Sequence, residues 1–123
     1  MTTAYWCVLA AMCLPYLWIF AAKATADYDN VAPRDYLEDL EGWRRRAYWA
    51  HKNAFEAFPQ FAAAVIIAHL LHADQQTVDL LAVTFVGARL LHGVCYIAEL
   101  STMRSLMWLI GFVCVVSMLV SAA

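Results

Sequence analysis

Two short runs of polar residues stand out in this chain because of where they lie: each interrupts a stretch that is otherwise apolar. The first is Lys52, Asn53, Glu56 and Gln60, which at 3.6 residues per turn fall within about 100° of arc and so share one helix face. The second is Arg89, His92, Tyr96 and Glu99, spaced i, i+3, i+7 and i+10, again on roughly a quarter turn. Arg104 and Ser105 follow where a further helix opens. A guanidinium, an imidazole and a phenol in line offer several donors and a fixed positive charge, which suits an anionic ligand. A carboxylate and an amide on the facing run, next to Pro59, make a polar wall where the helix can bend. Lys52 and Glu56 are an i, i+4 pair expected to neutralise each other in part. Arg104 with Ser105 can stabilise a thiolate or cap a helix.

The elements that must carry these residues follow from hydropathy. The chain has 123 residues, of which 64% are hydrophobic and 15% charged. A soluble domain of that length has too little interior for so much apolar surface. About 20 mostly apolar residues cross the roughly 30 Å hydrocarbon layer of a bilayer, and four stretches qualify: Thr3 to Ala22, Ala47 to His72, Val78 to Ala98 and Met103 to Ser121. Short connections make neighbours antiparallel. The expected fold is all-α, an up-down four-helix bundle spanning the membrane as one domain over residues 1–123. The first span has no basic residue before it and a longer apolar run than a secretory signal, so it reads as a retained span.

Ionisable groups inside a span cost several kcal/mol unless they face a protein or aqueous interior. The two polar faces are therefore either a binding site or a hydrogen-bonded network that holds helices together, with Arg89 paired to Glu56 or Glu99 in the second case. Lys23, Arg34 and Arg44-Arg45-Arg46 all lie between the first and second spans, whereas Ala73 to Thr77 holds no Lys or Arg. Both termini are accordingly expected on the non-cytoplasmic side of the cell membrane. The arginine run reads as a headgroup anchor, and the acidic stretch Asp35 to Glu41 before it as a short interfacial helix. A formal net charge of −2 leaves no broad basic surface for nucleic acid. His69, His72 and Asp74 sit at a span end and are not assigned a metal. Cys7, Cys13, Cys95 and Cys114 form no CxxC pair and read as packing residues.

With these motifs in view, the chain resembles the membrane-associated proteins in eicosanoid and glutathione metabolism, the MAPEG family, in a bacterial-type form. The likeness rests on Asn30, Pro33 and Arg34 in the first loop, and on Ala50-His51-Lys52-Asn53-Ala54-Phe55-Glu56 with Pro59. Ala88-Arg89-Leu90-Leu91-His92 with Tyr96, and Arg104-Ser105, complete it. The resemblance implies a homotrimer with sites between subunits near the cytoplasmic side. It also implies glutathione as the bound thiol, and transferase, peroxidase or isomerase chemistry on lipophilic small molecules drawn from the surrounding lipid. By position it implies that Asn53 and Glu56, with Lys52 beside them, hold the polar groups of the peptide, and that Arg89, His92 and Tyr96 line the pocket. Arg104 and Ser105 would act on the sulfur. Trp49 and Lys52 stand where glutathione-using members carry arginines. The alternative is a non-catalytic lipid-binding or accessory subunit that keeps the scaffold.

Overall fold

A computed structural model describes all 123 residues. The chain is all-α, with five helices: α1 (Thr3–Lys23), α2 (Pro33–Glu38), α3 (Gly42–Leu70), α4 (Gln75–Ile97) and α5 (Ser101–Ser121). The short α2 starts with Pro33, whose fixed φ and missing N–H suit a first helical position. It occupies part of the acidic stretch expected to be helical and ends at Glu38 rather than Glu41.

Local chemistry sets the other boundaries. Thr2 caps α1 by accepting the Tyr5 N–H at 3.3 Å. Asp74 caps α4, accepting both the N–H and the hydroxyl of Thr77 at 2.8 and 2.7 Å, and these two bonds hold its carboxyl below the usual carboxylate range. The C-termini of α3 and α4 close alike. The Ala73 N–H reaches back to the Ala68 carbonyl and the Leu100 N–H to the Cys95 carbonyl, with His72 (φ 56) and Glu99 (φ 60) in the left-handed conformation between. This is the Schellman closure, here without the usual glycine.

Helix directions can be read from bonds at their ends. The Thr2 hydroxyl meets His69 Nε2 at 3.0 Å, and His69 Nδ1 donates to the Val65 carbonyl at 2.7 Å. At the opposite end of the molecule Arg44 Nε donates to the Ala22 carbonyl at 3.0 Å, so α1 and α3 are antiparallel. Arg46 Nε donates to the Ile97 carbonyl at 2.9 Å, which sets α3 antiparallel to α4. The Ala4 N–H donates to Asp79 at 2.8 Å, joining the starts of α1 and α4. The most extensive packing is between α4 and α5 and between α1 and α3, with α3 also against α4 and α5.

Small residues make this packing close. Ala4, Ala64, Ala68 and Ala82 are fully buried, which lets backbones approach as they do between membrane helices. Phe61 and Phe85 stack at 4.0 Å among them, above Met118 and Val65. Gly93 is a further close approach: a Cβ there would lie 2.1 Å from the Trp18 ring, so the indole lies directly against the α4 backbone.

Three helices, α1, α4 and α5, are long and apolar enough to cross a membrane, and the protein is a multi-pass membrane protein. The segment expected to be the second span is the exception. α3 is long, 29 residues, but Arg44, Arg45, Arg46, Lys52 and Glu56 lower its hydropathy, and it starts at Gly42 rather than Ala47. The basic run is thus the first turns of α3. Arg45 is exposed, whereas Arg44 and Arg46 are largely covered and meet the orphan carbonyl groups at the ends of α1 and α4.

Candidate functional site

Three adjoining cavities lie on one side of the molecule, between α3, α4 and α5. The most enclosed of the three, about 270 Å³, is lined by Asn53, Glu56 and Gln60 of α3, Phe85 and Arg89 of α4, and an apolar stretch of α5 that includes Trp108 and Phe112. A second, about 360 Å³, is bounded by Trp49, Lys52, Asn53, Glu56 and Tyr96. A third, about 240 Å³, is bounded by Asn53, His92, Tyr96, Arg104, Ser105 and Trp108. Asn53 borders all three, and Glu56, Tyr96 and Trp108 each border two. Lys52, Asn53, Glu56, Arg89, His92, Tyr96, Arg104 and Ser105 therefore come together around three neighbouring cavities that share walls.

Arg89 is the most constrained of them. It is only 4% exposed, and one terminal nitrogen donates to both the side-chain oxygen and the backbone carbonyl of Asn53. Its Nε has no partner and is buried. A buried, unpaired guanidinium N–H is costly, so Arg89 depends on the bonds that its terminal nitrogen makes to Asn53. Gly111 leaves room for the Arg89 stem, since a Cβ there would sit 3.4 Å from the arginine Cδ. The Asn53 amide faces the Glu56 carboxylate at 3.5 Å, so amide, guanidinium and carboxylate form a short polar chain at the cavity wall.

His92, also 4% exposed, stands edge-on to Tyr96 with ring centroids 5.6 Å apart. The Arg104 guanidinium lies over the Tyr96 ring at 4.5 Å, a cation–π contact, and Ser105 is beside it in the first turns of α5. The mouth of the site thus carries a cation and a hydroxyl, while the deep end is Phe85 and Val115. Trp108 and Phe112 stack in parallel at 5.4 Å along the wall between.

Two expectations are corrected here. Lys52 does not pair with Glu56: its ammonium donates to Glu38 at 3.1 Å and lies over the Tyr48 ring at 4.4 Å, because α2 folds back to that side of α3. Together with the Tyr48 hydroxyl, this bond holds the Glu38 carboxyl below the usual glutamate range. Glu99 does not continue the face of Arg89, His92 and Tyr96. α4 stops at Ile97, and the left-handed turn sends Glu99 outward to Arg46 at 3.1 Å.

Sequence reasoning left out of the site the apolar wall of Phe85, Trp108, Phe112 and Val115. A helical spacing of Trp108 and Phe112, i and i+4, was its only trace, and such spacing is common in any apolar helix. His51, part of the family motif, has a structural use: its Nδ1 donates to the Pro15 carbonyl at 2.7 Å and ties α3 to α1.

Searches of curated proteins and of solved structures return no match. The MAPEG family model matches residues 3–123, essentially the whole chain, and the protein belongs to the MAPEG family.

Proposed function

We propose that the protein is a membrane-embedded, glutathione-dependent transferase or peroxidase acting on lipophilic electrophiles. The proposed assembly is a homotrimer of four-helix transmembrane subunits, with α3 as the fourth span and both termini on the non-cytoplasmic side. The observation that carries the reading is a polar chain that runs from the buried Arg89 through the half-buried Asn53 to the exposed Glu56, with Asn53 also bordering the cavity of Arg104 and Ser105.

The donor set fits a thiol tripeptide with two carboxylates and one ammonium group. Glu56 supplies the anion for the ammonium group. The Arg89 guanidinium, the Tyr96 hydroxyl and Lys52 supply donors for the carboxylates. Arg104 and Ser105 stabilise a sulfur anion, lowering the thiol pKa so that more of the nucleophilic form is present at neutral pH. The bound thiol would supply the nucleophile, and the stacked Trp108–Phe112 wall, about half exposed, presents an apolar surface to an electrophile arriving from lipid.

Calorimetric titration of the detergent-purified protein with glutathione tests the binding. Saturable heat at micromolar to millimolar ligand is expected, and none at millimolar ligand sinks the enzyme reading. Arg104→Ala should lower turnover of an aromatic electrophile by about 10²-fold or more, the scale of losing one preorganised charge stabiliser, with expression unchanged. Equal turnover would remove Arg104 from that role.

A second reading is a non-catalytic lipid-binding or accessory subunit on the same scaffold. It is favoured by one observation, that two cations bordering the cavities are already engaged: Lys52 by Glu38 and Arg104 by the Tyr96 ring. A folded protein that binds no glutathione but retains lipid through delipidation would support it.

A further inference from the structure

Lys52 borders the cavity of Trp49, Asn53, Glu56 and Tyr96, and its ammonium is paired with Glu38 and lies against the Tyr48 ring. Neither Glu38 nor Tyr48 lines that cavity. Glu38 is fixed from other directions too: the Tyr48 hydroxyl donates to the same carboxylate oxygen at 3.0 Å, and Arg45 donates to its backbone carbonyl at 3.4 Å. Leu37 and Leu40 on either side are buried against Ile19, Ala22 and Ala47. The carboxylate is therefore presented to Lys52 by an anchored turn, and the pair is exposed, with 48% of the lysine side chain and 63% of the glutamate open.

We propose that Glu38 is a competing counter-ion that withholds the Lys52 ammonium from the cavity, so that an anionic group entering the cavity must take Lys52 from it. Glu38 is then a positioning residue that acts through Lys52 and sets the affinity for carboxylate-bearing ligands. An exposed ion pair is weak enough to be exchanged, and its loss is worth on the order of a twofold to fivefold change in affinity. A ligand that captures Lys52 releases it from the Glu38 carboxylate, while Tyr48, Leu37 and Leu40 keep α2 in place. With glutathione as the anion this rests on the function proposed above.

The test uses the full-length detergent-purified protein, with Glu38→Gln, Lys52→Gln and the double variant. Titrated with glutathione, Glu38→Gln should bind twofold to fivefold more tightly than the parent, and Lys52→Gln more weakly. The double variant should match Lys52→Gln, because without the ammonium there is nothing for Glu38 to withhold. A parent that binds while Glu38→Gln binds no better overturns the proposal and leaves the glutathione reading intact. If no variant binds glutathione, that reading falls, and a ligand-free probe decides the proposal. Lys52 is acetylated by a sulfonated, anionic N-hydroxysuccinimide ester, with Lys23, the only other lysine, as internal reference. A severalfold rise in the Lys52-to-Lys23 ratio in Glu38→Gln supports the withheld ammonium, and an unchanged ratio overturns it.

Discussion

Asn53 is the residue on which the most geometry converges. It borders all three cavities and is the only side chain that accepts from the buried Arg89 guanidinium. A guanidinium in a helix interior is tolerated only while its donors are met. Arg89 is already short of one partner, at Nε. Asn53→Ala would remove a second acceptor and leave only the backbone carbonyl, at 3.3 Å. The expected cost is about 1–3 kcal/mol, seen as a thermal midpoint several degrees lower in detergent by circular dichroism. Asn53→Asp combined with Glu56→Gln keeps the acceptor without setting two carboxylates side by side, and should melt near the parent. If both variants melt alike, the bond carries no stability and Arg89 is held by packing.

At the scale of the element, the helices are fitted by a few contacts that admit no extra atom. Gly93→Ala would place a methyl group inside the Trp18 ring. Because the ring lies against the α4 backbone, α1 and α4 must separate, at a cost of about 1–3 kcal/mol. Trp18→Ala in the same chain should recover part of that loss, which separates a steric clash from a change in helix propensity. The turn after α3 stores strain instead. His72 sits at φ 56, where an L side chain costs roughly 1–2 kcal/mol, so His72→Gly should raise the melting temperature. A fall there would mean that the imidazole makes a stabilising contact outweighing its strain.

These elements also show which features were legible beforehand. Helical phase was sufficient to set Asn53 and Glu56 on one face and Arg89 and His92 on another, because a polar residue in an apolar run has only one inexpensive direction to point. The same logic failed at Glu99, since nothing in the residue types before Ser101 announces a left-handed turn without glycine. It failed at Lys52 because Glu38 is distant in sequence and is brought close only when α2 folds back. The apolar wall of Trp108 and Phe112 was hidden for a different reason. In a helix that is hydrophobic all round, a residue facing a cavity and one facing lipid look the same.

Across the whole molecule the Lys and Arg residues are polarised, although most of the carboxylates share their end. α1 and α3 are antiparallel, as are α3 and α4, so the first loop, the start of α3 and the end of α4 meet at one end. Lys23, Arg34, Arg44, Arg45, Arg46 and Arg104 all lie towards that end, whereas Met1 to Tyr5, Leu71 to Asp74 and the end of α5 hold no Lys or Arg. The site follows the same gradient. Arg104 and Tyr96 stand near the arginine-bearing end, Arg89 lies two turns deeper, about 10 Å at 1.5 Å per residue, and Phe85 lies deeper still. In the proposed orientation the end that holds the Lys and Arg residues is cytoplasmic, so a water-soluble anionic thiol would enter from the cytoplasm and a lipophilic partner from the side. Single cysteines at Asn30 and at Ala73, in a chain whose four native cysteines are replaced by serine or alanine, test this directly. A membrane-impermeant maleimide added to intact cells should label the Ala73→Cys variant and spare the Asn30→Cys variant, and permeabilisation should expose both. The reverse pattern would invert the protein and require the thiol to be supplied from outside the cell, which would remove a cytoplasmic glutathione pool from the proposed reaction.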